Sequence, residues 1–335
     1  MSEIRRSLEE MAASCRKALV FGNGGGGDVL QGISVANHLE ALGVTEVFMG
    51  GVNCAWVDHD PDEPIPPGQL VLGPQIYALD GLSNSKRVSE HIVEVSAETR
   101  YGDRVLGEAV AAAVCKRRTI VIALQGGVPA AAAELAAFIA SEGIDLVISA
   151  DVGSDSFFTG KECHPAHTSL VDFMSLGILT SLDCATVFGL GGYGCDGELV
   201  LDELQRNLSI AMAAGAYIGA HGLTPRDCAQ LKAAFAEFFD PIGALVIDAA
   251  EGRFGWHNVP TTSPWGHPVE VTPLAALTLF FDPHLLVEHV CTAVPQIAEA
   301  VSLEAAEDRF EELFGYMAET RLVPFADLRR PRTAS

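Results

Sequence analysis

ALVFGNGGGGDVLQGISVANHL, residues 18–39, runs from an apolar segment through a glycine-rich turn into a stretch with helical spacing. Residues 18–21 carry no polar side chain, as a strand buried on both faces requires. Beyond the turn, Leu30, Ile33, Val35, Leu39 and Leu42 recur at roughly every third or fourth position, so one face of a helix over 29–42 can pack on a sheet. Strand, loop and helix in this order form the repeating unit of a parallel sheet.

The same pattern continues along the chain. Apolar runs at 46–49, 119–124, 146–150, 185–190 and 277–281 read as strands. Helices are expected over 103–115, 129–141, 199–215, 224–239 and 303–320, with an edge strand at 91–96. The Ala- and Gly-rich stretch 208–220 reads as a buried helix too short to span a bilayer of ~30 Å. The fold class that follows is α/β: a doubly wound, mostly parallel, Rossmann-like sheet in one large domain over 1–335. Two irregular segments interrupt it. Residues 58–67 hold four prolines and four acids and read as an exposed loop, and 251–273, with Trp256 and Trp265, is long enough to serve as a lid or binding loop.

Composition narrows the function classes. The chain is 49% hydrophobic and 19% charged, which fits a compact globule and excludes a disordered one. With 44 acidic against 21 basic side chains, the formal charge of -23 repels nucleic acid and anionic lipid, so neither is an expected partner. A small-molecule ligand is expected instead, and a homo-oligomer is compatible with the sequence. Glu3, Glu9 and Glu10 break up the first seventeen residues, so no signal peptide is read there. The eight cysteines are spread out and include no Cys-x-x-Cys pair, so they read as reduced thiols of a cytoplasmic protein.

Four consecutive glycines, Gly24, Gly25, Gly26 and Gly27, exceed what a tight turn with Asp28 as helix cap demands. With Asn23 and the N-terminus of the following helix, their N–H groups can receive a phosphate or carboxylate. Bulk at Gly25 or Gly26 is therefore expected to abolish ligand binding at modest cost in stability. The loop at 22–28 is not a Walker A motif, because no Lys-Ser/Thr pair follows, and it lacks the dinucleotide Gly-x-Gly-x-x-Gly spacing. It is similar to the pyrophosphatase-type loop of ATP-dependent adenylating enzymes, Ser-Gly-Gly-x-Asp-Ser, with both serines absent.

Two further turns combine glycine and acid at strand ends, where a parallel sheet lines its ligand crevice. Asp151-Val152-Gly153-Ser154-Asp155 follows the run at 146–150, with Gly160-Lys161-Glu162 and Asp172 in the same connection. Gly194-Cys195-Asp196-Gly197-Glu198 follows the run at 185–190. Asp151, Asp155 and Asp196 are the expected catalytic carboxylates, and Asp151, Asp155, Glu162 and Glu198 the expected ligands of a divalent cation, Mg²⁺ first. Gly50, Gly51 and Gly194 join the expected ligand-binding set. Cys163, His164 and His167 have zinc-compatible side chains, but Pro165 and the spacing disfavour such a site. A nucleophilic Cys195 beside His257 or His267 ranks below inert packing.

The glycine run 24–28, the pair Gly50-Gly51 after the second strand, and the motifs at 151–155, 160–162 and 194–198 together resemble the domain-of-unknown-function 1152 family of archaea and bacteria, over most of the chain. The resemblance implies one contiguous domain and carries no established activity. The residues themselves favour an enzyme acting on a phosphorylated, nucleotide or otherwise anionic small molecule, by metal-assisted hydrolysis or group transfer. The alternatives are an ATP-dependent adenylating ligase and a non-catalytic nucleotide or metabolite binder.

Overall fold

The computed structural model describes residues 5–56, 72–164, 166–238, 240–258 and 267–324. The expected loop at 58–67 and the centre of the expected lid, including Trp265, lie outside them.

Nine strands form the main sheet. In chain order they are β1 (Lys17–Gly22), β2 (Glu46–Val52), β3 (Lys86–Arg87), β4 (Ile92–Val95), β5 (Thr119–Ile122), β6 (Leu146–Val152), β7 (Ala185–Gly191), β8 (Tyr217–Gly222) and β9 (Leu277–Phe281). Across the sheet they run β8-β9-β7-β6-β1-β2-β5-β4-β3. The central β7, β6, β1, β2 and β5 are mutually parallel, while β9 and β4 flank them antiparallel and the outermost β8 and β3 pair antiparallel with β9 and β4. This is a large, mostly parallel α/β sheet wound on both faces.

The all-apolar β1 is interior, as its composition demands, pairing Ala18 with Leu146 on one side and with Val47 on the other. Its side chains alternate between two cores. Leu19 and Phe21 join Phe48, Ile120, Ile122 and Val147 on one face, under helices α3 (Gly127–Glu142), α4 (Ser169–Thr180) and α8 (Leu303–Phe314). Ala18 and Val20 join Val47, Met49 and Ile148 on the other, under α1 (Asp28–Ala41) and α6 (Pro225–Phe235). Each fully buried Leu, Val or Phe contributes about 1.5–3 kcal/mol of transfer free energy, so this double burial fixes the register of β1.

Several expected boundaries shift for local reasons. The stretch 208–220 is not one buried helix: α5 (Leu201–Ala213) stops before Gly215, whose φ of +78° leaves the helical region, and Tyr217–Gly222 is the outermost strand. The segment 224–239 ends as a helix at Phe235, and α7 (Pro241–Ala250) begins separately, capped by the Asp240 carboxylate on the N–H groups of Ile242 and Gly243. The helix from Leu303 stops at Phe314, before Gly315 at φ +77°. Helix α2 (Gly107–Cys115) begins at Gly107 rather than at 103, because Arg104–Val105 pairs with Arg100–Tyr101 in a small antiparallel sheet. Ile92–Val95 is one strand in from the edge, which Lys86–Arg87 occupies. Gly50 and Gly51 lie inside β2 rather than in a turn after it.

The chain builds β2 and β5 to one side of β1, then crosses through α3 to place β6 and β7 on the other. The strand order therefore reverses between β1 and β6. The connections leaving their carboxyl ends run to opposite faces, into α1 and α4, leaving the crevice in which doubly wound sheets place ligands.

Candidate functional site

At that crevice three carboxylates from separate elements converge. Asp28 opens α1, Asp151 is the penultimate residue of β6, and Asp172 lies in the first turn of α4. One oxygen of each lies within 4.8 Å of the others, and all three residues are buried, at 7%, 2% and 2% exposure.

Asn23 anchors one of them, Asp172. Fully buried, it accepts from Ser149 Oγ at 2.6 Å and donates through Nδ2 to Asp172 Oδ1 at 2.7 Å and to Ser156 Oγ at 3.0 Å. Its backbone N–H donates to the Ala150 carbonyl at 2.8 Å, tying the loop to β6. Gly24 N–H donates to Asp28 Oδ2 at 2.5 Å. The loop is thus folded onto the carboxylates.

Burial drives the electrostatics. It pushes Asp28, Asp151 and Asp172 well above the ordinary carboxylate range, and the neighbouring carboxylates add to the shift. Asp155, which keeps partial solvent access, is raised by burial too, although it accepts from Thr168 Oγ1 at 2.9 Å. Asp196 is pushed up to about 7 by burial against two hydrogen bonds from Ser154. Glu198, raised well by burial, accepts from His167 N–H at 3.1 Å. Among the described residues no lysine or arginine pairs with any of these acids, and Asp151 Oδ2 is buried without a hydrogen-bond partner. A buried carboxylate oxygen with no donor is costly unless the carboxyl is protonated or meets a cation.

The other expected site residues are distributed around this centre. Gly25 and Gly26 have φ of +105° and +64°, and a Cβ on Gly25 would stand 2.6 Å from the Cys54 carbonyl oxygen. A Cβ on Gly24 would meet Asp172 Oδ2 at 2.8 Å, and one on Gly27 would overlap the Asp240 carboxylate. These glycines are therefore required by backbone conformation and by contacts within the protein. The modest stability cost expected for bulk at Gly25 is corrected accordingly. Gly50 leaves room for Ile120 and Phe21, Gly51 for Glu108, and Gly194, at φ +67°, donates its N–H to the Gly153 carbonyl. Glu162 is engaged by Thr159 Oγ1 at 2.7 Å and Asn207 Nδ2 at 2.6 Å, and it is not part of the converging trio. Burial raises the Cys195 thiol to about 12, the reverse of what a nucleophile needs. The rings of His164 and His267 pack at 4.7 Å, His167 packs on Tyr316, and Cys163 is exposed, so the candidate zinc ligands point to different partners.

A family model described as a protein of unknown function, DUF1152, matches residues 19–322. The chain belongs to the DUF1152 family. The DUF1152 match takes in β1 from Leu19 onward, the glycine loop, all three converging carboxylates and Glu319. No curated protein and no solved structure shows significant similarity to the chain.

Sequence reading passed over several members of the site. Asp172 registers there only as one more carboxylate in a connection, yet it is the lone acid in the apolar run SLVDFMSLGIL, residues 169–179. An acid inside such a run is the signal that could have ranked it higher. Ser149, which donates to Asn23, and Ser154, Ser156 and Thr168, which donate to the acids, have no distinguishing spacing. Glu319, raised to about 8 by burial, accepts from Val171 N–H at 2.8 Å, close to the base of α4, and only the fold brings it there.

Proposed function

We propose that this protein binds a divalent cation, Mg²⁺ or Mn²⁺, on Asp28, Asp151 and Asp172, and with it the anionic end of a phosphorylated or nucleotide-like small molecule on which it performs hydrolysis or group transfer. The observation that carries this reading is the convergence of three buried carboxylates, one with an unpartnered oxygen and none paired with a described lysine or arginine, at the point where the strand order reverses. At an effective dielectric of 20, two unit charges at that spacing repel by about 3–4 kcal/mol, so three cannot remain ionised together without a counter-charge. Hard oxygen donors suit Mg²⁺ and Mn²⁺. Such an ion neutralises the cluster and also lets an acidic protein accept an anion.

Asp155 and Asp196 then fall into supporting roles. Asp155, partly open to solvent and oriented by Thr168, is placed to exchange a proton with a reacting group or water. Asp196, raised to about 7, is poised between its two protonation states at neutral pH. The eight free thiols fit a cytoplasmic setting, and no described helix is long and apolar enough to cross a membrane.

A metal-free reading rests on the same raised carboxyl groups, which can share protons instead of a cation. Chelator-treated protein titrated with Mn²⁺ separates the two, followed by profiling against phosphate esters and nucleotides. Saturable Mn²⁺ binding with metal-dependent turnover supports the proposal. Turnover unaffected by chelator overturns it in favour of proton sharing, and ligand binding without turnover indicates a sensor.

A further inference from the structure

Away from the carboxylates, two histidines lie face to face. His38, in the last turn of α1, and His221, in the outermost strand β8, stack with ring centroids 3.9 Å apart and planes 14° from parallel. Both side chains are 15% exposed, and each Nε2 is buried without a hydrogen-bond partner among the described residues. The nitrogen lone pairs lie in the ring planes, so two nearly parallel imidazoles cannot both point at one metal ion. What remains to them is the proton. A first proton would place a charged N–H donor where no acceptor lies within hydrogen-bonding distance, and a second would set two imidazolium charges against each other.

Two acids act on the stack. Glu9 Oε1, on the short helix Leu8–Ala12, lies 4.0 Å from His38 Nε2, and Asp227 Oδ2, on α6, lies 4.0 Å from His221 Nε2. Both distances exceed a hydrogen bond. Asp227 is already engaged, accepting from Thr224 N–H and from Asn37 Nδ2, each at 2.7 Å. The neighbouring acids have partners of their own: Glu10 accepts from Ser7 N–H at 2.8 Å, and Glu40 pairs with Arg117 at 2.8 Å and Arg226 at 3.2 Å. On β9 the uncharged Thr278 stands opposite His221. Burial, reinforced at His38 by the neighbouring His221, holds both rings below the ordinary histidine value of 6.5, against a smaller opposing pull from Glu9 and Asp227. Below 6.5 the unfolded chain therefore binds more protons here than the folded one, so the stabilisation is complete above that value and is lost as pH falls.

We propose that the His38–His221 stack is an acid-sensitive joint: uncharged, it clamps β8 to the last turn of α1, and on acidification it takes up a proton and the strand loosens. The strand is suited to this. As the outermost member of the sheet it has a strand neighbour on one side only, β9, and a register shift between Tyr217 and Gly219 interrupts that ladder. Its hold on the molecule therefore depends on side-chain contacts such as the stack, and an element held in this way is among the first to open locally. The joint uses none of the carboxylates of the cation site.

The test is an NMR titration of the histidine rings of the full chain from pH 8 to pH 5, with amide hydrogen exchange measured at pH 7.5 and pH 5 and corrected for intrinsic rates. Both rings are expected to titrate below 6.5, and the β8 amides to lose protection at pH 5 relative to those of β1. His221→Phe keeps an aromatic ring against His38 and removes one titrating group. In this variant β8 protection is expected to change less with pH than in the parent, and the melting temperature to gain about 2–4 °C on the parent's between pH 7.5 and pH 5. The titration and exchange read the parent itself, so the test stands if the variant fails to fold. Either ring titrating at or above 6.5, β8 protection unchanged between the two pH values, or parent and His221→Phe melting in parallel overturns the joint.

Discussion

Glu319 shows what a buried acid does when nothing neutralises it. Its carboxyl is raised from 4.5 to about 8, chiefly by burial, so the folded chain holds a proton that the unfolded chain releases above its ordinary value. Folding is therefore undisturbed by this group below about pH 4.5 and progressively weakened as pH rises toward 8. Glu319→Gln keeps an acceptor for Val171 N–H and removes the titration. The melting temperature of the variant relative to the parent is expected to rise between pH 5 and pH 8, an advantage on the order of 2–4 kcal/mol at the upper end. Parallel melting curves across that range would contradict it. Gly25 gives a second test at this scale. Its φ of +105° and the Cys54 carbonyl at 2.6 Å from any added Cβ predict that Gly25→Val destabilises by about 1–3 kcal/mol, measured by urea denaturation. An unchanged midpoint would show that the loop can relax.

Helix α4 carries the lesson at the scale of elements. Residues 169–179 are all buried, so the segment has no polar face and no helical periodicity to read. The strands were legible for the opposite reason: β1, β5 and β6 are short, apolar and bounded by turns, and burial on both faces suits such runs. Tyr217–Gly222 was misread because the Ala-rich helical residues before it were read on past Gly215, and its strand identity comes from pairing with Leu277–Phe281. The tight seat of α4 makes a prediction. A Cβ on Gly177 would lie 3.0 Å from Ala298 Cβ and 3.2 Å from Val128 Cγ1, so Gly177→Leu is expected to cost about 1–3 kcal/mol by overpacking. Because Gly177 is more than a helical turn from Asp172, Mn²⁺ affinity measured on the folded variant should stay within about threefold of the parent, far less than loss of a ligand produces.

For the molecule as a whole, the strand-end rule carried much of the site. Asn23, Asp28 and Asp151 were legible because a parallel sheet gathers the residues that follow its strands on one rim. Asp172 and Glu319 arrive from a connection and from near the end of the described chain, so only the assembled fold brings them near. Whether Asp28, Asp151 and Asp172 hold a cation is tested by isothermal titration of chelator-treated protein with Mn²⁺ at pH 7.5, parent against Asp151→Asn. A cation site here gives saturable binding by the parent and at least about a tenfold loss in Asp151→Asn, which keeps the shape of the site and removes one anionic ligand. Metal-free Asp151→Asn is also expected to melt above the metal-free parent, since one uncompensated buried charge is gone. Equal Mn²⁺ affinity in the two proteins, or no binding by the parent, would contradict a cation site at these carboxylates.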